Sequence, residues 1–223
     1  MTITTTTPVG RIAAEHPLAT RVFARHGIDF CCGGGRPLAE VCLSQGLEAV
    51  TVVEEIRREL ATTPENPATW DQAPLNDLID HILLTYHKPL WEELPRLDAM
   101  ARKVLEVHLE KNPAGLTELV RVYAALRAEL EAHLQKEEEI LFPLIKQGQG
   151  LMAGGPIEVM MHEHDGAGEA LRRLRDLTDN YRVPAEACNT WSALWHGLAA
   201  LESELHLHIH LENNILFPRA LAS

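Results

Sequence analysis

One pattern occurs twice in this chain and decides what it can fold into: H-L-Q-K-E-E-E-I-L-F-P at His133–Pro143 and H-I-H-L-E-N-N-I-L-F-P at His208–Pro218. The shared skeleton is H-x-x-x-E-x-x-I-L-F-P. Residues four apart lie on one face of a helix, so each copy aims an imidazole and a carboxylate at the same point. Two such pairs facing each other make a nest of nitrogen and oxygen ligands.

The flanking sequence supplies helices to carry the pairs. From Leu75 onward, stripes with steps of three and four recur. The first runs His87, Leu90, Leu94, Leu97, Ala101 and Val104. A second runs Leu119, Val122, Leu126, Leu130, His133, Glu137, Ile140 and Leu144. The third holds Ile157, Met161, His164, Gly168, Leu171 and Leu174, and the fourth Leu194, Leu198, Leu201, Leu205, His208, Glu212 and Ile215. Asn112-Pro113 reads as a cap followed by a first-turn proline, while Pro89 and Pro95 predict a kink or local unwinding just past His87. Four long amphipathic helices with short joins predict an all-α, antiparallel four-helix bundle over residues 75–223. The spacing from His87 to His133 nearly matches that from His164 to His208, so 87–143 and 164–218 read as two copies of one helix hairpin.

Residues 1–60 read as a small helical domain. Apolar-periodic pieces lie around Leu18–His26, Pro37–Leu43 and Val50–Leu60, the first two separated by D-F-C-C-G-G-G at Asp29–Gly35. Pro37 falls where a helix begins and Gly46 where one ends, and the consecutive glycines imply a bend that side chains would obstruct. A unit this short is marginal alone and is expected to lean on something else. Residues 61–74, with three prolines and few apolar residues, read as a linker.

His133, Glu137, His164, His208 and Glu212 fall on the apolar stripes of their helices, and His87 opens the first stripe. Counted from the turns at Asn112 and Pro184, at ~1.5 Å per residue, the six lie within about one turn of a common level. Unpaired carboxylates there would cost several kcal/mol, so a metal centre is expected. Imidazole and carboxylate without thiolate suit iron, manganese or zinc, and composition alone does not choose. Two ions sharing two bridging glutamates fit the twofold repeat better than one ion does. Of about twelve positions on two six-coordinate ions, the protein fills eight and an oxo or hydroxo bridge two, leaving about one open on each. Glu129 and Glu204, each four residues before a ligand histidine, and Glu163, beside His164, are candidates to accept the imidazole N–H bonds. His162, His206 and His210 are expected on solvated faces, and His108 lies too far along its helix.

A formal net charge of −12 argues against a nucleic-acid surface and against anionic lipid. No apolar run approaches the ~18 residues of a spanning helix, and no secretory signal is expected at the N-terminus. Four cysteines, with Cys31 and Cys32 adjacent, do not form a disulfide scaffold, which points to a reducing cytoplasm. Cys42 and Cys188 read as core residues.

The two H-x-x-x-E-x-x-I-L-F-P copies, Tyr86-His87, the E-H-D of Glu163–Asp165 and L-E-N-N-I-L-F-P-R-A-L at Leu211–Leu221 resemble hemerythrin-like proteins. More closely, with F-C-C-G-G at Phe30–Gly34, the chain resembles the di-iron repair-of-iron-centres (RIC) family. The resemblance implies two non-haem irons, with His87, His133, His164 and His208 as terminal ligands and Glu137 and Glu212 as bridges. It also implies repair of iron–sulfur clusters damaged by nitric oxide or oxidants, with damaged iron–sulfur proteins as partners. Oxygen-carrying hemerythrins use five histidines; four here disfavour a carrier. Cys31 and Cys32 are expected to serve as redox or iron-transfer thiols. Two other functions stay open: nitric oxide reduction at the same centre, and a gas-binding sensor or carrier of nitric oxide or oxygen.

Overall fold

The structure is a computed structural model describing residues 3–62 and 70–222. It is all-α, and the largest part is an antiparallel four-helix bundle. Half of the stretch expected as a linker, 63–69, lies outside the described residues.

Four short helices make the N-terminal unit: α1 (Val9–Glu15), α2 (Ala19–His26), α3 (Leu38–Gln45) and α4 (Ala49–Thr62). Helix α1 has no counterpart among the expected pieces, because Gly10 and a run of only seven residues leave no readable periodicity. Gly27 and Gly46 close α2 and α3 with φ of 65° and 70°, the left-handed cap that glycine adopts without strain. Val9, Ile12, Val22, Phe23, Leu38 and Ile56 fill the core of this unit, and Leu207 from the bundle packs against it.

The first bundle helix comprises α5 (Leu75–Ile82) and α6 (Lys88–His108), joined by a π-helical turn at Leu83–His87. Helix α7 (Pro113–Lys136) continues through a second π turn, Glu137–Leu141, into α8 (Phe142–Lys146). After a 3₁₀ turn come α9 (Gly154–Leu177) and α10 (Asn189–Leu211), the latter passing through a third π turn, Glu212–Leu216, into α11 (Phe217–Leu221). Asn112 caps α7 by accepting from the Gly115 amide at 3.0 Å, with Pro113 next. Helix α6 packs on α7 and α10, and α9 on α7 and α10. Between them Leu94, Leu97, Leu126, Leu171, Leu194 and Leu198 are buried, each contributing about 1.5–3 kcal/mol.

The π turns answer to proline. Each ends two residues before one: His87 before Pro89, Leu141 before Pro143, Leu216 before Pro218. Proline has no N–H and crowds the carbonyl four residues back, so the preceding amide reaches one residue further. Lys88, Phe142 and Phe217 accordingly donate to Leu83, Glu137 and Glu212. The unwinding thus lies at and before His87, not past it. The inserted residue also rotates the buried stripe. Ile140, expected inside, is exposed, and Leu141 is buried in its place. On α9, Met160 takes the inward position expected for Met161, which is exposed.

Candidate metal centre

Each π turn carries a candidate ligand at its end or start. His87 closes the first, and Glu137 and Glu212 open the second and third. His133 and His208 lie one turn earlier on α7 and α10, and His164 sits mid-way along α9. All six side chains are buried, the two carboxylates completely. They gather into two half-sites that share both glutamates: His87, His208, Glu137, Glu212 and His133, His164, Glu137, Glu212.

The geometry suits a cation in each half. Nε2 of His87 stands 3.1 Å from Nε2 of His208, and the same atoms of His133 and His164 are 3.0 Å apart. Two nitrogens at right angles on one six-coordinate cation, each ~2.1 Å away, stand ~3.0 Å apart. Glu137 Oε2 lies between the halves, 3.3 Å from His133 Nε2 and 3.5 Å from His87 Nε2. Glu212 mirrors it, with Oε1 2.9 Å from His208 Nε2 and Oε2 3.3 Å from His164 Nε2.

The outer faces of the rings settle their tautomers. His87 Nδ1 donates to Glu138 at 3.0 Å, His133 Nδ1 to Glu163 at 2.9 Å, and His164 Nδ1 to the Asn213 side-chain oxygen at 2.8 Å. With the proton on Nδ1, each neutral ring turns an Nε2 lone pair inward, towards carboxylate lone pairs. Both oxygens of Glu137 and Oε2 of Glu212 have no hydrogen-bond partner among the described residues. Acceptors facing acceptors in an apolar cage are stable only around positive charge. Protons are the lesser substitute. Burial opposes charge on His133, yet Glu137, Glu212 and Glu163 outweigh it and push this imidazole up to about 9. His87 is raised against burial by Glu212, Glu137 and Glu138, whereas burial dominates at His208 and lowers it. Burial works against the Glu212 carboxylate too, but His208, His164 and His87 hold it well below the usual carboxylate range.

Of the outer partners expected from sequence, Glu163 bonds His133 and is itself paired with Lys136. Glu129 and Glu204 are exposed and bond no ligand imidazole among the described residues. Glu129 instead lines a cleft of about 330 Å³ with Leu130, His133, Lys136, His162 and Glu163. Glu138 and Asn213 lie outside the set that helical spacing offers. Their signal is that each directly follows the buried glutamate in its copy of the repeat. The duplication is imperfect at the fourth ring: Tyr86 stacks on His208 at 5.4 Å, and the buried His208 Nδ1 has no partner among the described residues.

The cysteine loop lies against this centre. Asn213, whose oxygen takes the His164 proton, donates through Nδ2 to the Cys31 carbonyl at 3.5 Å. Asn214 Nδ2 donates to the Phe30 and Cys31 carbonyls at 3.2 and 3.3 Å, and Cys32 Sγ donates to the His164 carbonyl at 3.4 Å. A Cβ on Gly34 would overlap the Asn214 side chain and lie 2.8 Å from the Phe30 oxygen, so the close approach requires glycine there. His206 and His210, expected on a solvated face, are covered by this unit. Phe30 meets His210 edge-on at 5.4 Å, and burial pushes His210 down to about 4. His206 is half-buried. His162 is exposed, Cys42 buried, and Cys188 exposed where a core position was expected, at the N-terminus of α10 beside His108 (3.2 Å). The Cys31 thiol, hydrogen-bonded to the Cys32 sulfur, buried and facing Asp29, is held well above its usual value.

A cation cage of four imidazoles and two shared carboxylates in a helical bundle defines a class of metal-binding protein. Residues 78–220 match the family described as Hemerythrin HHE cation binding domain, and residues 5–60 match ScdA_N, Domain of Unknown function (DUF542). Among curated relatives, the Iron-sulfur cluster repair protein YtfE of Escherichia coli O17:K52:H18 (strain UMN026 / ExPEC) is 46% identical over 219 residues, 96% of each chain. That of Shigella boydii serotype 4 (strain Sb227) matches to the same extent, 46% over 219 residues and 96% of each chain. The chain belongs to the hemerythrin-like repair-of-iron-centres family, whose bundle binds iron. No helix among the described residues is long and apolar enough to cross a membrane.

Proposed function

We propose that the protein is a di-iron protein that restores iron–sulfur clusters damaged by nitrosative or oxidative stress, donating iron from a labile centre. His87, His133, His164 and His208 hold two ions terminally, and Glu137 and Glu212 bridge them. The observation that carries this reading is the pair of half-sites sharing two buried carboxylates, in a chain 46% identical to iron–sulfur cluster repair proteins. When bound, the irons, joined by an oxo or hydroxo bridge, supply redox chemistry and open positions for exchange. The chain's own contribution is to hold them loosely enough to give up. Imidazole and carboxylate bind ferrous iron less tenaciously than the thiolates of a cluster site do. Glu138, Glu163 and Asn213 keep three rings in the ligating tautomer, and burial keeps bulk water out. Cys31 and Cys32 serve as iron-transfer or redox thiols, in a reducing cytoplasm, with damaged iron–sulfur proteins as acceptors.

Incubating iron-loaded protein with an apo or nitrosylated cluster enzyme tests this. Enzyme activity should return as iron leaves the bundle, followed by Mössbauer spectra; loaded protein that never restores activity would sink it. A second reading, nitric oxide reduction at the same centre, draws on an open cleft of about 170 Å³ beside Tyr86, the residue stacked on His208, lined also by Ala13, His81, His210 and Leu211. Catalytic nitrous oxide in anaerobic turnover would promote that reading over donation.

A further inference from the structure

We propose that Asp29, Cys31 and Cys32 form a second, transient metal site on the N-terminal loop, a way station for one ferrous ion between the bundle and an acceptor. The purpose, though not the site, rests on the iron-donor reading above. Cys31 Sγ stands 3.7 Å from Cys32 Sγ and 3.2 Å from Asp29 Oδ1. Two thiolates on one tetrahedral cation, each ~2.3 Å away, stand ~3.8 Å apart, so the sulfurs already have the required bite. The three donor atoms lie within 4.8 Å of one another, one face of a tetrahedron with the remaining position left for a fourth donor.

The loop is held in this shape. Asp29 Oδ1 accepts the amide N–H groups of Cys31 and Cys32 at 3.1 and 3.0 Å. The Asn213 and Asn214 bonds to the Cys31 carbonyl fasten its other side to the bundle. Its position suits a relay. Cys32 touches the backbone of His164, a member of one half-site, and is itself half exposed. Two thiolates and a carboxylate favour ferrous iron over magnesium or calcium, and they resemble the cysteine ligands of an acceptor cluster. Loading moves no electrons. Each thiol releases its proton to solvent, the ion takes both sulfurs and the carboxylate, and delivery returns two protons.

The test uses the full chain with iron already in the bundle, titrated anaerobically with cobalt(II). Thiolate-to-cobalt charge-transfer absorption should appear and saturate at one cobalt per chain. Cys31→Ser with Cys32→Ser should abolish it, Asp29→Asn should weaken the affinity severalfold, and Cys188→Ser should leave it unchanged. Circular dichroism and retained bundle iron show that each variant is folded. In parallel, release of bundle iron to a chelator should slow in Asp29→Asn and in the double-cysteine variant. The site is overturned if folded wild type shows no thiolate band, or if the band survives the double variant or is lost with Cys188. Cobalt binding without restoration of a damaged enzyme would remove the donor reading alone; restoration without cobalt binding would remove this site alone.

Discussion

Asn213 answers two neighbours at once: its oxygen fixes the His164 ring and its nitrogen reaches the Cys31 carbonyl. Glu138 does the first of these jobs for His87 and also accepts the Trp91 indole N–H at 3.0 Å. Removing an outer partner of a ligating imidazole costs about 10–100-fold in metal affinity, so Asn213→Ala and Glu138→Ala should each show that loss in chelator competition. Glu129→Ala and Glu204→Ala should show none; an equal loss there would contradict the hydrogen-bond assignments. The six inward residues were legible because each interrupts an apolar stripe with a polar group. Their outer partners were not, since a bond to a ring from a neighbouring helix depends on how helices cross. Glu129 and Glu204 lie outside the site for a simple reason. Four residues turn a helix about 40° beyond a full circle, enough to carry a side chain from the buried stripe to its exposed edge.

The helices themselves were readable from periodicity and punctuation: Asn112-Pro113 opens α7 and Gly46 closes α3 as their chemistry requires. The π turns were half readable. The prolines were visible, but a Pro-induced distortion can be placed only once the backbone bonds are known, and the extra residue exchanged Ile140 for Leu141 in the interior. Contact between the N-terminal unit and the bundle turns on a close backbone approach at the Cys-Cys-Gly loop. Gly34→Ala should therefore loosen the unit, seen as faster hydrogen exchange in α1 and in the Phe30–Cys32 amides. Gly35→Ala, where an added Cβ meets nothing within 4 Å, should exchange like wild type. Matching behaviour of the two variants would show that Asn214 does not set the fit.

For the molecule as a whole, a metal held by the six buried residues should add to the stability of the fold. A ligand present at 100–1,000 times its dissociation constant stabilises by about 2.7–4.1 kcal/mol, or roughly 5–15 °C in a chain of this size. Calorimetry on chelator-stripped protein should show a lower melting temperature, recovered on adding ferrous iron anaerobically. An unchanged melting temperature would mean that the facing carboxylates are satisfied without a cation. At this scale the bundle followed from the duplication, whereas the seating of the small unit did not. The one trace of it in sequence is a broken symmetry: E-E-E in the first copy becomes E-N-N in the second, and both asparagines bind the loop.

That asymmetry has a mechanical side. Asn213 and Asn214 follow Glu212 within one π-helical turn, more loosely wound than the α10 and α11 helices it joins. Any displacement of the N-terminal unit pulls on that turn through the two asparagines, and through it on a carboxylate reaching both half-sites. The small domain is thus fastened to one wall of the cage, to the second copy of the repeat and not to the first.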